Sequence, residues 1–240
     1  MRAPEGFVEG VLRTAGLVDA YARVESAVGW VYVARSTKGI TLVRRAESDA
    51  HFERLYRERF DRRVERRDTL AAELAAALTA GARVQVDLRG TSDFARAVLE
   101  TTRRIKPGYI RPYAWVAQEV GREKAVRAVG SALAANPVPL VIPCHRVIRG
   151  DTTIGDYLFG TQEKEQLLAR EGVDCSHMRE LSQRHMRFVA SKTTKIFCYP
   201  FCFPAQRILP KNLIELSSAR EATARGFRPC KSCRSDLALL

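Results

Sequence analysis

Cys144, His145 and Arg146 stand in a row behind Pro143, at the end of the run NPVPLVIPCHRVI (136–148). A thiol attacks only as its thiolate, and a free pKa near ~8.5 falls when a base or a cation is close. These three residue types therefore suit a nucleophile, although a small buried cysteine beside an incidental histidine would look the same. The apolar run before Pro143 predicts a strand that delivers the cysteine. Neighbours on a strand point to opposite faces, which leaves a water relay between Cys144 and His145 open. A second constellation is Cys198-x3-Cys202-x27-Cys230-x2-Cys233. Two close pairs separated by a domain-sized loop have four-thiolate zinc spacing, with disulfides as the alternative. A module of about 50 residues buries too little apolar surface to be secure alone, and a structural zinc adds about 10–16 kcal/mol of apparent folding energy in small fingers. Cys175 belongs to neither group and reads as a bystander.

The chain that positions these residues has 240 positions, 46% hydrophobic and 28% charged, which excludes a disordered polymer and allows one to three domains. Lys and Arg number 40 against 27 Asp and Glu, a net charge of +13, so a polyanion is the first partner to test, nucleic acid ahead of an acidic substrate or a membrane surface. Residues 176–240 hold 12 basic and 4 acidic side chains, a net of +8 and over half of the excess. No apolar run reaches membrane-spanning length, and the start, MRAPEGFVEG, has an acid where a signal peptide needs its apolar region. Membrane insertion and secretion are not expected. All six cysteines lie beyond residue 143, unlike the spread of a secreted disulfide framework, so a cytoplasmic location is expected.

The elements read as α+β. Strands are expected at 29–34 (GWVYVA), 40–43 and 84–88, and a helix at 70–79 (LAAELAAALT). Nine arginines against seven acids in 44–68 nearly cancel, which favours a solvated helix face over a nucleic-acid stripe. Thr91-Ser92-Asp93 offers an N-cap, and Lys106-Pro107-Gly108 ends the helix that follows. Helices at 113–120 and 123–134 about Gly121 match helix-turn-helix grammar, as any two packed helices would. Around 171–187 no apolar period is sustained, and a linker is expected at 174–187.

PCHRVI, with NPVPLVI before it and IGDY and KEQLLAREG after it, resembles the O6-alkylguanine-DNA alkyltransferases, weakly from residue 1 and strongly from Gly90 to about 173. The resemblance implies a small N-terminal α/β domain, ribonuclease H-like, over 1–88, and a helix-turn-helix, winged-helix-like alkyltransferase domain over 89–173. It implies stoichiometric, irreversible transfer of a methyl or alkyl group from O6 of guanine, and O4 of thymine, to Cys144. His145, through water and with Glu171 behind it, would draw off the thiol proton. Tyr113 would donate to the departing guanine, and Asn136 would brace the turn around the site. Arg127, in KAVRAVGSAL, would take the place of the flipped nucleotide, with Ala128, Arg146 and Tyr113 as further DNA contacts. The backbone of Cys144 and Val147 would receive the guanine amino group, and Tyr157 would cover the pocket. Two departures are visible. Tyr157-Leu158-Phe159-Gly160 replaces a small, glycine-rich segment, so Phe159 is expected to narrow the pocket, and Arg111-Pro112 precedes Tyr113 where a small hydroxyl residue is common.

SKTTKIFC and SAREATARGFRPCKSC resemble the metal-binding methylphosphotriester module of the Ada adaptive-response protein, over 188–240. This implies one zinc ion on Cys198, Cys202, Cys230 and Cys233, no organic cofactor, and a choice at Cys198 between accepting a second methyl group from a DNA phosphotriester and serving only as a ligand. Tyr199-Pro200-Phe201-Cys202-Phe203-Pro204 replaces a more basic segment. The expected partner is alkylated double-stranded DNA, bound by a monomer, nucleoid-associated in a bacterium. The competing functions are a non-catalytic lesion sensor, a class that lacks the acceptor cysteine, and a methylation-responsive transcriptional regulator, for which no AraC-type segment follows. A cysteine hydrolase built on Cys144 and His145 is a third.

Overall fold

VDAYARVES forms a strand, β1 (Val18–Ser26), that the sequence reading did not find, because its alanines and charged residues dilute the β signal. β2 (Gly29–Ser36) folds back antiparallel, Ser26 opposite Gly29, and β3 (Gly39–Arg44) pairs with β2. β4 (Arg63–Arg66) runs parallel on the other side of β1, giving the order β3-β2-β1-β4. The computed structural model of the chain describes residues 16, 18–80 and 83–233. The protein is mixed α+β and divides into two compact units, 1–96 with 135–142 and 97–134 with 143–240.

In the first unit the charged stretch 44–68 contains α1 (Asp49–Phe60) and β4. Phe52 and Tyr56 are the buried residues of α1, and the Phe52 ring lies 4.9 Å from Tyr21 and 5.0 Å from Tyr32. Asp19 is buried in β1, and its carboxylate accepts from the Tyr56 hydroxyl at 2.7 Å and from Arg62 Nε at 3.1 Å, which compensates its desolvation. α2 (Ala71–Ala80) follows. The strand expected at 84–88 is reduced to a single bridge, Val86 with Ile40. Asp87 turns its side chain inward to Ser36 Oγ (2.7 Å) and Arg89 (2.7 Å), ending the pairing there.

α3 (Asp93–Arg103) starts where Ser92 Oγ accepts from Ala95 N at 3.3 Å. In the second unit β5 (Arg111–Pro112) lies parallel to β6 (Val147–Ile148). α4 (Tyr113–Glu119) and α5 (Val126–Ala134) come next; α5 starts later than expected because the Ala125 N–H closes a tight turn on the Arg122 carbonyl. α6 (Thr161–Arg170) is followed by α7 (Cys175–Gln183), in the segment expected to be a linker. Asp174 caps α7 by accepting from His177 N at 2.9 Å. Only Met178 and Leu181 of this helix are buried, too few to print a period on the sequence. The four-stranded sheet β10-β8-β7-β9 closes the chain: β7 (Phe188–Ser191), β8 (Ile196–Cys198), β9 (Leu213–Leu216) and β10 (Arg228–Pro229), with α8 (Ala219–Ala224) between the last two.

This sheet has no core of its own. Phe188, Phe197, Tyr199 and Phe201 are buried in one continuous cluster with Ile110, Ile148, Leu168, Val173 and Met178. Tyr199 stacks on Phe201 at 5.1 Å and lies 4.9 Å from Phe188. Phe188→Ala is therefore expected to cost about 3–5 kcal/mol, and native-state hydrogen exchange should show α6 and β7 losing protection at the same denaturant concentration. Exchange of β7 through a separate, lower-energy opening would mean two cores.

Candidate active site and metal centre

The segment 136–142 is a tight turn, not the expected strand. Prolines at 137, 139 and 143 remove ladder donors, and Leu140 takes a left-handed φ of 74°. Asn136 ties the turn across its base: Nδ2 donates to the Ile142 carbonyl at 3.0 Å and Oδ1 accepts from Val138 N at 3.0 Å.

Cys144 opens a 3-10 turn, Cys144–Arg146, that runs directly into β6. Pairing of Arg111 with Val147 and of Pro112 with Ile148 holds the start of α4, and so Tyr113, against this turn. Pro112 is the extended residue before the helix, which begins at Tyr113 despite the unusual Arg-Pro. Cys144 lies in a cleft of about 530 Å³, with Tyr113, Arg127, Tyr157 and Leu158 also in its lining. The bulky residue facing the cleft is Leu158, 44% exposed, and not Phe159, which is buried with its ring 5.6 Å edge-on to Tyr157. Arg127 and Ala128 are exposed on the first turn of α5.

His145 is buried, and its Nε2 lies 3.0 Å from Glu171 Oε1. Arg146, expected at the DNA surface, instead turns inward: its Nη2 donates to Glu171 Oε1 at 2.7 Å, Nε to Oε2 at 2.9 Å and Nη1 to the Ile105 carbonyl at 2.5 Å. Burial pushes the Glu171 pKa up, but the bonds from His145 and Arg146 outweigh it and hold the carboxyl down to about 2. Burial holds His145 below its ordinary value, so the imidazole is neutral at neutral pH. An ionised carboxylate only accepts, so Nε2 carries the ring proton and Nδ1 is left as a bare acceptor. Nδ1 is buried with no protein partner among the described residues.

Sequence reading missed Lys164. It is 1% exposed, and its Nζ donates to the Val147 carbonyl at 2.7 Å. Burial draws its ammonium down to about 8, while a negative charge on Cys144 opposes that shift. The signal was available in KEQLLAREG: Lys164, Leu167, Leu168 and Glu171 recur at helical spacing, which places the lysine on a buried face. Burial, and then a charge on Cys144, raise the Tyr113 phenol, so it remains a donor.

In the last sheet β8 and β10 pair in parallel, Phe197 beside Pro229, which brings Cys198 next to Cys230; Cys230 N donates to the Phe197 carbonyl at 3.0 Å. The sulfurs of Cys198, Cys202, Cys230 and Cys233 all lie within 4.8 Å of one another and all four residues are buried. Zn–S bonds of about 2.3 Å in a tetrahedron set sulfurs about 3.8 Å apart, so the quartet fits one zinc ion. Four buried sulfurs this close repel one another as thiolates, so all four could be ionised together only around a cation.

Residues 93–173 match the family described as 6-O-methylguanine DNA methyltransferase, DNA binding domain, and residues 177–236 match the metal binding domain of Ada. The fold is similar to that of Mycobacterium tuberculosis OGT, solved in complex with DNA, at 30% identity and a TM-score of 0.51 over 63% of this chain and 92% of that one. An 86-residue segment is 48% identical to the bifunctional transcriptional activator/DNA repair enzyme Ada of Escherichia coli, covering 36% of this chain and 24% of that protein. A longer segment of 159 residues is 33% identical to the regulatory protein ada of Salmonella typhimurium, covering 63% and 45%. The chain thus spans less than half the length of these curated relatives. The chain belongs to the O6-methylguanine-DNA methyltransferase family and carries, after that part, an Ada-type metal-binding domain.

Because the Glu171 carboxyl titrates near 2 in the fold and near 4.5 when free, its stabilising contribution is complete above pH 4.5 and is lost as pH falls toward 2. Denaturant midpoints of wild type and Glu171→Gln should be furthest apart at neutral pH and converge between pH 4.5 and 2. Parallel profiles would mean that Glu171 is not the ionised anchor.

Proposed function

We propose that this chain is a direct-reversal DNA repair protein that takes a methyl group from O6 of guanine, and from O4 of thymine, onto Cys144. The observation that carries this reading is a nucleophile in a cleft bordered by Tyr113 and Arg127, next to a histidine whose bare Nδ1 is guaranteed by Glu171. The Cys144 proton passes through water to Nδ1, and the buried Lys164 charge favours the thiolate that remains. Sulfur attacks the methyl carbon, the C–O6 bond breaks, and its electron pair leaves on the guanine, which the Tyr113 hydroxyl meets as a hydrogen-bond donor. One lone pair of the Val147 carbonyl takes Lys164 Nζ, and the other is free for the guanine amino group. A thioether is no leaving group for water, so each chain acts once.

O6 is hidden in a stacked duplex, and rotating the nucleotide out costs a few kcal/mol. Arg127, exposed at the start of the second helix of the pair, fills the space left behind. Duplex DNA, a monomeric protein and a cytoplasmic setting go with this reading. The sheet order β3-β2-β1-β4 with a parallel β1–β4 pair supports a ribonuclease H-like first domain (1–88), and the α4–α5 pair supports a winged-helix-like second domain (89–173). The metal module is assigned to 188–240, with 174–187 before it.

A second reading is favoured by a separate cleft of about 610 Å³, into which Cys198 and Cys230 open but Cys202 and Cys233 do not, beside Arg207, Arg228 and Lys231. A bound zinc would keep these thiolates deprotonated at neutral pH. Cys198 would then take a methyl group from a backbone phosphotriester; the C–O bond breaks and the phosphodiester leaves as an anion facing the three cations.

Incubation with O6-methylguanine duplex should raise the intact mass by one methylene, and Cys144→Ala should abolish the gain at that lesion while duplex binding persists. A modified peptide elsewhere would overturn the assignment. Arg127→Ala should slow transfer from duplex far more than transfer from the free O6-methylguanine base, since only the duplex requires flipping. Equal slowing of both in rapid-mixing experiments would assign Arg127 to the fold or the chemistry.

A further inference from the structure

Arg111 lies with its guanidinium 5.6 Å from the Tyr109 ring and 5.2 Å from the Trp115 ring. Tyr109 stacks on Phe203 at 5.3 Å, and Arg207 covers Phe203 at 4.2 Å. These five side chains form a run of cations and aromatic planes from α4, across β5, to the loop beyond Cys202. Along it opens a cavity of about 380 Å³ lined by Arg104, Lys106, Tyr109, Arg111 and Trp115, with Glu119 its one carboxylate. Six arginines elsewhere are paired with carboxylates: Arg62 with Asp19, Arg66 with Asp49, Arg89 with Asp87, Arg146 with Glu171, Arg179 with Glu165 and Arg184 with Glu215. Among the described residues, Arg104, Lys106, Arg111 and Arg207 have no carboxylate within ion-pair distance.

Cations gathered without counter-ions repel one another and attract a polyanion. Aromatic faces orient the guanidinium planes and leave their N–H edges for phosphate oxygens. The repeating anion that suits such a row is a nucleic-acid backbone, contacted through phosphates. It is not the segment held at Cys144. Trp115 and Tyr113 stand two positions apart on α4, about 200° around the helix, so the cavity and the Cys144 cleft occupy different faces of it. Arg207 also borders the cleft into which Cys198 opens.

We propose that Trp115, Arg111, Tyr109, Phe203 and Arg207, with Arg104 and Lys106, form a second DNA-backbone track, distinct from the lesion cleft, that leads a DNA segment toward the cysteine quartet. This rests on reading both halves as DNA-binding. The alkyltransferase part thereby supplies phosphate contacts to the metal module, which lacks the more basic segment expected between its first ligands.

The test uses the full zinc-loaded chain and lesion-free duplex DNA. Each phosphate contact contributes about −0.9 to the slope of log affinity against log salt, so replacing Arg104→Gln, Lys106→Gln and Arg111→Gln together should make the slope shallower by about 2–3. Sedimentation with excess short duplex should find two duplexes on the parent chain and one on the triple variant, whose unfolding temperature and methyl uptake from free O6-methylguanine should match the parent. An unchanged slope, or one duplex on the parent, overturns the track. Loss of methyl uptake in both proteins with the slope difference intact would overturn the repair reading and leave the track standing.

Discussion

A single carboxylate, Glu171, sits where the chemistry and the architecture meet. It follows the last turn of α6, accepts from Arg146 and His145, and takes the Gly108 N–H at 3.3 Å. A charge in that position is tolerated only because every approach to it is a donor; removing one partner would leave the others facing an uncompensated ion. Its ionisation sets the His145 tautomer, anchors the turn that carries Cys144, and ties the 106–108 breaker to the end of α6. Lys164, seven residues before it in α6, brings a positive charge to the Val147 carbonyl. In the proposed reaction the segment from Lys164 to Glu171 would supply both the anion that orients the base and the cation that favours the nucleophile.

The metal-binding part is joined to the alkyltransferase part through packing. Its most unusual segment, Tyr199-Pro200-Phe201-Cys202-Phe203-Pro204, has a structural explanation. Tyr199 and Phe201 enter the common core and Phe203 stacks on Tyr109, so residues that break the family pattern make the contacts that join the two parts. A module of this size secures little apolar burial alone. Here it borrows Ile110, Ile148 and Leu168 in addition to whatever the metal contributes.

Much of the site was legible in the residues themselves. Cys144, His145 and the quartet are chemistry written in adjacent or regularly spaced types, and the cysteine pairs needed only β8 and β10 to bring them together. Other features depend on long-range geometry that spacing does not record. Arg146 looks like a DNA contact until Glu171, 25 residues away, turns it inward. Phe159 and Leu158 are exchanged as the cleft-facing residue because the direction of an irregular loop has no period to read. The prolines of 136–142 carried the information that no strand could form there, yet their apolar company suggested one. β1 escaped notice for the opposite reason, since a strand buried on a polar anchor, Asp19, does not look apolar.

The central claim is that burial keeps His145 neutral while Glu171 fixes its proton on Nε2, leaving Nδ1 to take the Cys144 proton. Nitrogen NMR of the protein labelled in its histidine rings measures this directly at neutral pH. The account predicts a protonated Nε2 and an unprotonated Nδ1 for His145, with the pattern lost in Glu171→Ala, which removes the acceptor. A proton found on Nδ1, or an imidazolium at neutral pH, would contradict it.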